Sequence, residues 1–272
     1  MSILRDIFGD FLDMIYPSKL ECLFCGSRSS DYNDLGLCKY CMSILPYLSG
    51  NICSRCGRPI HDTHIDKECR RQIENDHIVN GGYKGFIHSE YLDNITCECY
   101  EEILYFDAAV SVFEFTGIIQ AALYKLKYDG IRETASALGI LMARRLLKEG
   151  WDIDIIVPIP LHNQKYCERG FNQSYLLAAA ISRENSIDMS HKILSREKYT
   201  KSQTTLSKFQ RIQNVRGAFE VNNNILIKGR SVLLIDDIMT TGATLNEGSR
   251  ILKANNAKNV YCLTAACPYK LK

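Results

Sequence analysis

Ser231–Thr244 reads SVLLIDDIMTTGAT, an apolar run followed by two acids and then a turn of hydroxyls around one glycine. Val232 to Ile235 is short, continuous and apolar, the pattern of a strand buried on both faces of a parallel sheet. Asp236 and Asp237 fall at its carboxyl end, which is where ligands bind in open α/β sheets. The turn then leads into a helical pattern at Leu245, Ser249, Leu252 and Lys253, so a helix start is aimed at that ligand position.

The residue types say what the ligand is. Amides of Thr241, Gly242, Ala243 and Thr244 at a helix start, with threonine hydroxyls beside them, suit a phosphate and have the helix dipole behind them. Gly242 lets the backbone approach closely. Two adjacent carboxylates only accept hydrogen bonds; they repel a phosphate but can hold the vicinal hydroxyls of a ribose. Together the acids and the cradle read as a ribose-5-phosphate site. No G-x-x-x-x-G-K-[ST] and no strand-borne G-x-G-x-x-G is present, so a P-loop nucleotidase or a dinucleotide enzyme has no support in the sequence. The motif resembles the phosphoribosyl-pyrophosphate signature of type I phosphoribosyltransferases.

From about Asp107 the chain alternates between the two periods. Strands are expected at Ala108–Phe115, Ile153–Ile159, Ser231–Ile235 and Val260–Ala265. Helices are expected around Ile119–Tyr128, Arg132–Lys148 and Asn172–Asn185. This is a doubly wound α/β domain with a parallel sheet. Its 272 residues, 46% hydrophobic and 24% charged, allow one such core plus a small second module and exclude a disordered or fibrous chain.

That second module is marked by cysteine. Nine of the twelve, Cys22, Cys25, Cys38, Cys41, Cys53, Cys56, Cys69, Cys97 and Cys99, lie in the first 99 residues, a clustering that points to metal. Cys22-x2-Cys25 and Cys38-x2-Cys41 have the spacing of a four-thiolate zinc ribbon, with Gly26 allowing the tight turn after the first pair. A second site opens at Cys53-x2-Cys56. Cys97 and Cys99 are the preferred closing pair, and Cys69, His61 and His64 in the intervening segment leave other ligand sets open. Cys167, Cys262 and Cys267 read as isolated, buried and small. The expected organisation is an amphipathic helix over residues 1–20, a zinc-ribbon module over 21–105 and the α/β domain over 106–272. The first segment is interrupted by Asp6, Asp10 and Asp13, so it is not read as a signal peptide, and no apolar run is long enough to span a membrane. A cytoplasmic protein is expected.

Two further stretches bear on function. VPIP at 157–160 ends a strand, and Arg169 to Ser174 lie at the entry to a helix. Arg169 is suited to bidentate pairing with a pyrophosphate; the other reading makes it a surface residue and Asn172 an N-cap. Lys192 to Arg216 carries seven basic residues and one acid, in a chain whose net charge is +2. Such a segment steers and clamps polyanions, or is a solvated loop.

KLKYDG at 125–130, VPIPL at 157–161, ERGFNQS at 168–174, the Thr200, Gln203, Leu206 and Arg211 to Val215 patterns, and LIDDIMTTGATL, together with the cysteine pairs, resemble the ComF family over nearly the whole chain. The resemblance implies a zinc-ribbon module fused to a type I phosphoribosyltransferase domain, associated with DNA uptake in natural transformation. It implies that Asp236 and Asp237, the candidate catalytic residues, hold the ribose, and that Thr240 to Thr244 hold the 5-phosphate. The loop of Pro160, Leu161 and His162 would take the pyrophosphate, magnesium would bridge the ligand's oxygens, and the segment with Arg196, Gln203 and Arg211 would form a lid. The final cysteine pair departs from the family's C-x2-C. The resemblance leaves two functions: a phosphoribosyltransferase acting on phosphoribosyl pyrophosphate or a related phosphosugar or nucleotide, or a non-catalytic adaptor that binds single-stranded DNA among competence proteins.

Overall fold

The computed structural model describes residues 21–28, 31–60, 97, 99, 103–198, 208–222 and 224–268. The expected helix over residues 1–20, and the candidates His61, His64, Cys69 and Gln203, lie outside the described residues.

A short helix α1 (Lys39–Ser43) carries the second half of the first cysteine set. The α/β part then runs β1 (Ala108–Glu114), α2 (Gly117–Tyr124), a π-helical turn (Lys125–Asp129), α3 (Glu133–Leu146), β2 (Ile155–Pro158), α4 (Asn163–Arg169) and α5 (Gln173–Asn185). It continues through β3 (Leu194–Arg196), α6 (Lys208–Val215), β4 (Phe219–Val221), β5 (Ser231–Ile238), α7 (Ala243–Ala254) and β6 (Asn259–Cys267). Four strands form a parallel sheet in the order β1-β6-β5-β2, and β3 and β4 form a separate antiparallel pair.

Side chains on successive strand residues point to opposite faces, and the sheet buries both. Val110, Val112, Ile156, Leu233, Ile235 and Leu263 join one apolar layer with α2, α3 and α5. Ala109, Ile155, Val157, Val232, Leu234 and Val260 join another with α7 and the hairpin. This double cover is why β5 reads as an unbroken apolar run.

The ribbon module closes the open edge of β1. Leu48 N donates to Val112 O at 2.9 Å, and Glu114 N to Pro46 O at 2.8 Å. An edge strand so covered offers no free ladder to another chain. Gly57 sits against the same strand in the left-handed conformation (φ +68°), where a Cβ would lie 2.3 Å from Ala109 O.

Three sequence expectations change. The helical pattern over Ile119–Tyr128 ends as α-helix at Tyr124 and continues as the π-turn. Residues 163–169, between the expected strand and the expected helix entry, form a helix of their own, α4, capped by the His162 side chain, which accepts from Gln164 N, and closed by Gly170 at φ +79°. Cys167 on that helix is exposed, whereas Cys262 and Cys267 are buried as expected. Burial pushes both of those thiols up, Cys267 to about 12, which removes them as nucleophiles.

Candidate phosphosugar site and metal centres

The acids lie near the carboxyl end of β5, where the strand no longer has only apolar neighbours. Asp236 Oδ1 accepts from Ser174 Oγ at 2.9 Å and from Asp237 N at 2.9 Å. Burial, and then the neighbouring Asp237, push the Asp236 carboxyl up to about 7. Asp237 is paired with Lys127 from the π-turn, and both side chains are largely buried.

The ERGFNQS stretch builds the wall beside Asp236. Asn172 caps α5 through Ser174 N (3.0 Å), and its amide donates to Ile159 O at 2.9 Å, fixing the loop after β2 to the helix start. Ile159 N in turn donates to Ile235 O, so Pro160, Leu161 and His162 leave the sheet beside the acids. Arg169, the last residue of α4, bonds Gln173, and its guanidinium lies 5.8 Å from the Tyr128 ring centre.

On the other side, β5 leads through Thr240 and the buried Thr241 to Gly242, which caps α7 at φ +78°. Ala243 and Thr244 open that helix; its N-cap Gly242 has no side chain to offer, and Thr241 Oγ1 accepts from Ala243 N at 3.4 Å. Its first turn otherwise keeps the anion-binding character of a helix start. Glu247, one turn on, accepts from Gly217 N at 2.8 Å and from the Arg250 guanidinium at 2.7 and 2.8 Å. This pins the C-terminal end of the basic segment to α7. Within that segment Arg196 stands on β3, its guanidinium 5.3 Å from the Phe219 ring centre, and Arg211 stands on α6.

Lys127, Lys165 and Glu247 carry no individual signal in the sequence, and Ser174 is marked there only as part of the helix entry. Lys165 is held below the usual lysine range by burial and then by the like charges of Arg196, Arg169 and Lys127. Lys127 is paired with Asp237, the Arg196 charge acts on Asp236, and Lys165 and Arg169 stand close to these cations with Glu168 among them, a mainly cationic neighbourhood that suits a polyanion.

The cysteines form two clusters. In each, Cys22, Cys25, Cys38 and Cys41 or Cys53, Cys56, Cys97 and Cys99, all sulfurs lie within 4.8 Å of one another. Cys22 and Cys41 sulfurs are 3.5 Å apart, Cys25 and Cys38 3.9 Å, and Cys53 and Cys99, like Cys56 and Cys97, 3.5 Å. Thiolates around a tetrahedral zinc stand about 3.8 Å apart, given a Zn–S bond of about 2.3 Å. A disulfide needs about 2.05 Å. The donor sets fit structural zinc, and the second is completed by Cys97 and Cys99.

A family model described as a double zinc ribbon domain matches residues 11–71, and one described as a phosphoribosyl transferase domain matches residues 169–270. The chain is similar to the DNA utilization protein YhgH of Escherichia coli, 28% identical over 236 residues that cover 84% of this chain and 96% of that one. It is also similar to competence protein ComFC of Bacillus subtilis, 28% identical over 260 residues, covering 90% of this chain and 94% of that one. Among solved structures, the glutamine phosphoribosylpyrophosphate amidotransferase from B. subtilis aligns at 17% identity and a TM-score of 0.35. That alignment covers 49% of this chain and 26% of the enzyme, so the chain spans about a quarter of its length.

Proposed function

As a member of the ComF family the chain joins a double zinc ribbon to a phosphoribosyltransferase domain, and from that premise we propose that it binds phosphoribosyl pyrophosphate and transfers its phosphoribosyl group in a process tied to DNA uptake. The observation that carries this reading is the buried pair Asp236 and Asp237 on the strand that leads through Gly242 into α7, with Lys127 paired to Asp237 and the Arg196 charge acting on Asp236. Asp236 and Asp237 hold the ribose hydroxyls. Thr240 to Thr244 take the 5-phosphate, and the Pro160, Leu161 and His162 loop with Arg169 takes the pyrophosphate. Arg196, Gln203 and Arg211 belong to the segment that covers it.

A magnesium ion bound with the ligand would neutralise charge on the pyrophosphate, with Asp236 and Asp237 as the nearby carboxylates. Carboxylate oxygens are the hard donors such an ion takes, and the site has two carboxylates. Displacement at the anomeric carbon then needs positioning and electrostatic stabilisation, with no nucleophilic side chain.

Calorimetric titration of the zinc-loaded protein with phosphoribosyl pyrophosphate and magnesium tests the reading. Micromolar binding is expected, and its loss in the Asp236→Asn/Asp237→Asn double variant. A second reading, the single-stranded DNA adaptor, is favoured by the exposed Tyr124 and Tyr128 rings, 4.7 Å apart with Arg169 over the latter. Bases stack on such rings. No heat with the phosphosugar, together with DNA binding that weakens steeply with salt, would replace the first reading by the second.

A further inference from the structure

The KLKYDG stretch is the π-turn Lys125–Asp129, closed by Gly130 in the left-handed conformation. Such turns insert one residue into a helix, shift the phase of the residues beyond it, and recur at functional sites. Here successive side chains go to three places. Leu126 is fully buried in the apolar layer that also holds Phe24 and Leu37 of the first ribbon. Lys127 reaches Asp237, and Tyr128 stays exposed against Tyr124. Lys125 is also close to the ribbon, its Nζ 3.2 Å from where a Cβ would stand on Gly26. The ribbon therefore sits behind the turn that delivers Lys127.

An ammonium on Asp237 occupies the acid that the proposed function assigns to the ribose. Without it, Asp237 would be a buried carboxylate next in sequence to another buried acid, with its own direct counter-ion gone, a costly arrangement. Lysine is also the cation that exchanges partners readily, a point charge on a flexible stem, whereas arginine holds a carboxylate through a planar fork. Lys165, Arg169 and Arg196 already crowd the same space with positive charge. An arriving pyrophosphate offers Lys127 an alternative anion.

We propose that Lys127 is the resident cation of this site: it neutralises Asp237 in the empty pocket and moves to the ligand's pyrophosphate when phosphoribosyl pyrophosphate arrives with magnesium, releasing Asp237 to the ribose. Lys127 is thus a specificity device that keeps free divalent ions off the acids and admits the ion with its phosphosugar. The handover rests on the proposed function, whereas the exclusion of free metal does not.

The test uses full-length, zinc-loaded protein and two ligands: Mn2+ alone, followed by the loss of its free-ion paramagnetic signal, and magnesium phosphoribosyl pyrophosphate, followed by calorimetry. Removing one positive charge beside the acids in Lys127→Met tightens Mn2+ binding about tenfold or more. Losing one charged hydrogen bond to the pyrophosphate weakens the phosphosugar about tenfold or more. Opposite movement of the two affinities is the signature, since a merely structural lysine would weaken both. Circular dichroism and melting establish that the variant is folded, and Lys127→Gln takes its place if it is not. Unchanged Mn2+ affinity, or weakening of both ligands together, overturns the role of Lys127 while leaving the proposed function standing. Absence of phosphosugar binding by the unaltered chain overturns the proposed function and the handover, and the Mn2+ arm still decides the exclusion of free metal.

Discussion

Of the first cysteine cluster, Cys22, Cys38 and Cys41 belong to the apolar layer on one face of the sheet, with α2, α3 and α5, while Cys25 is exposed; Cys53, Cys56, Cys97 and Cys99 of the second all belong to the layer on the other face, with α7. Their ligand chemistry is the same, but they brace different halves of the site. The first backs the π-turn and, through Lys127, reaches Asp237. Just past the second, Tyr105 N donates to Asn246 Oδ1 at 2.7 Å and Asn246 Nδ2 to Ile103 O at 2.9 Å, which ties the chain to the first turns of α7. One cysteine cluster thus supports the acids and the other the start of α7, the helix proposed to take the phosphate. The ribbons are part of the pocket's frame and not a detachable handle.

Breaking one cluster at a time is the strongest way to separate these roles. Structural zinc is held by about 10–16 kcal/mol in small ribbons, as much as the whole stability of an ordinary domain, about 5–15 kcal/mol. Cys22→Ser and Cys99→Ser are each expected to lose one equivalent of zinc by elemental analysis and to melt well below the unaltered chain. Their ligand profiles should differ. Cys22→Ser loosens the π-turn, so Mn2+ binding tightens as in Lys127→Met; Cys99→Ser loosens α7, so the phosphosugar weakens with no gain for Mn2+. Identical profiles for the two variants would remove the division of labour.

A smaller contrast lies in the two knuckle glycines. Gly26 and Gly57 have the same left-handed backbone, φ +74° and +68°, so alanine at either costs about 1–2 kcal/mol for its Cβ. Their surroundings differ. At Gly26 the new methyl meets the flexible end of Lys125 at 3.2 Å, but at Gly57 it would lie 2.3 Å from the carbonyl of Ala109 on β1. Gly57→Ala therefore forces the second knuckle off the sheet edge, adding roughly 1–3 kcal/mol of overpacking. Chemical denaturation should rank Gly57→Ala well below Gly26→Ala, and equal midpoints would mean that the second knuckle does not rest on β1 as tightly as the geometry requires.

The same two regions differ in how much of them could be read from sequence. The first cluster is two matched C-x2-C pairs close together, and β5 with its acids is an apolar run with an abrupt chemical end, so both are visible as local patterns. Cys97 and Cys99 close a site opened about forty residues earlier, a pairing that only the folded chain fixes. Helix α4 buries none of its residues, so it has no apolar stripe to betray it and is set by His162 and Gly170 at its ends. Strands β3 and β4 are three residues each, too short for an alternation to register. Lys127 is hidden for another reason: the helical spacing around it continues through the one-residue insertion of the π-turn, and a lone lysine in such a pattern looks like a solvated side chain.

A pH-dependent effect sharpens the contrast between the cysteine-braced frame and the acids it carries. Asp236 is buried, and its folded carboxyl is pushed up to about 7 by that burial and by Asp237. An unfolded aspartate titrates near 3.9. A group whose folded value is raised contributes stability that is fully present below the unfolded value and is lost as pH rises through the folded one. Ionised Asp236 is thus a liability to the fold at neutral pH, a cost that fits the ligand-holding role proposed for it. Asparagine in its place retains an oxygen to accept from Ser174 and carries no charge. Asp236→Asn should therefore melt above the unaltered chain by an amount that grows from pH 5 to pH 7 and levels off beyond it, of order 1 kcal/mol for each unit by which the two values differ. That corresponds to roughly 2–4 °C per kcal/mol for a domain of this size. The gain in stability should accompany loss of phosphosugar binding. A melting difference that stays flat across this range would show that Asp236 is as well solvated or paired in the folded chain as in the unfolded one, and the acids would then be part of the frame and not a strained site mounted on it.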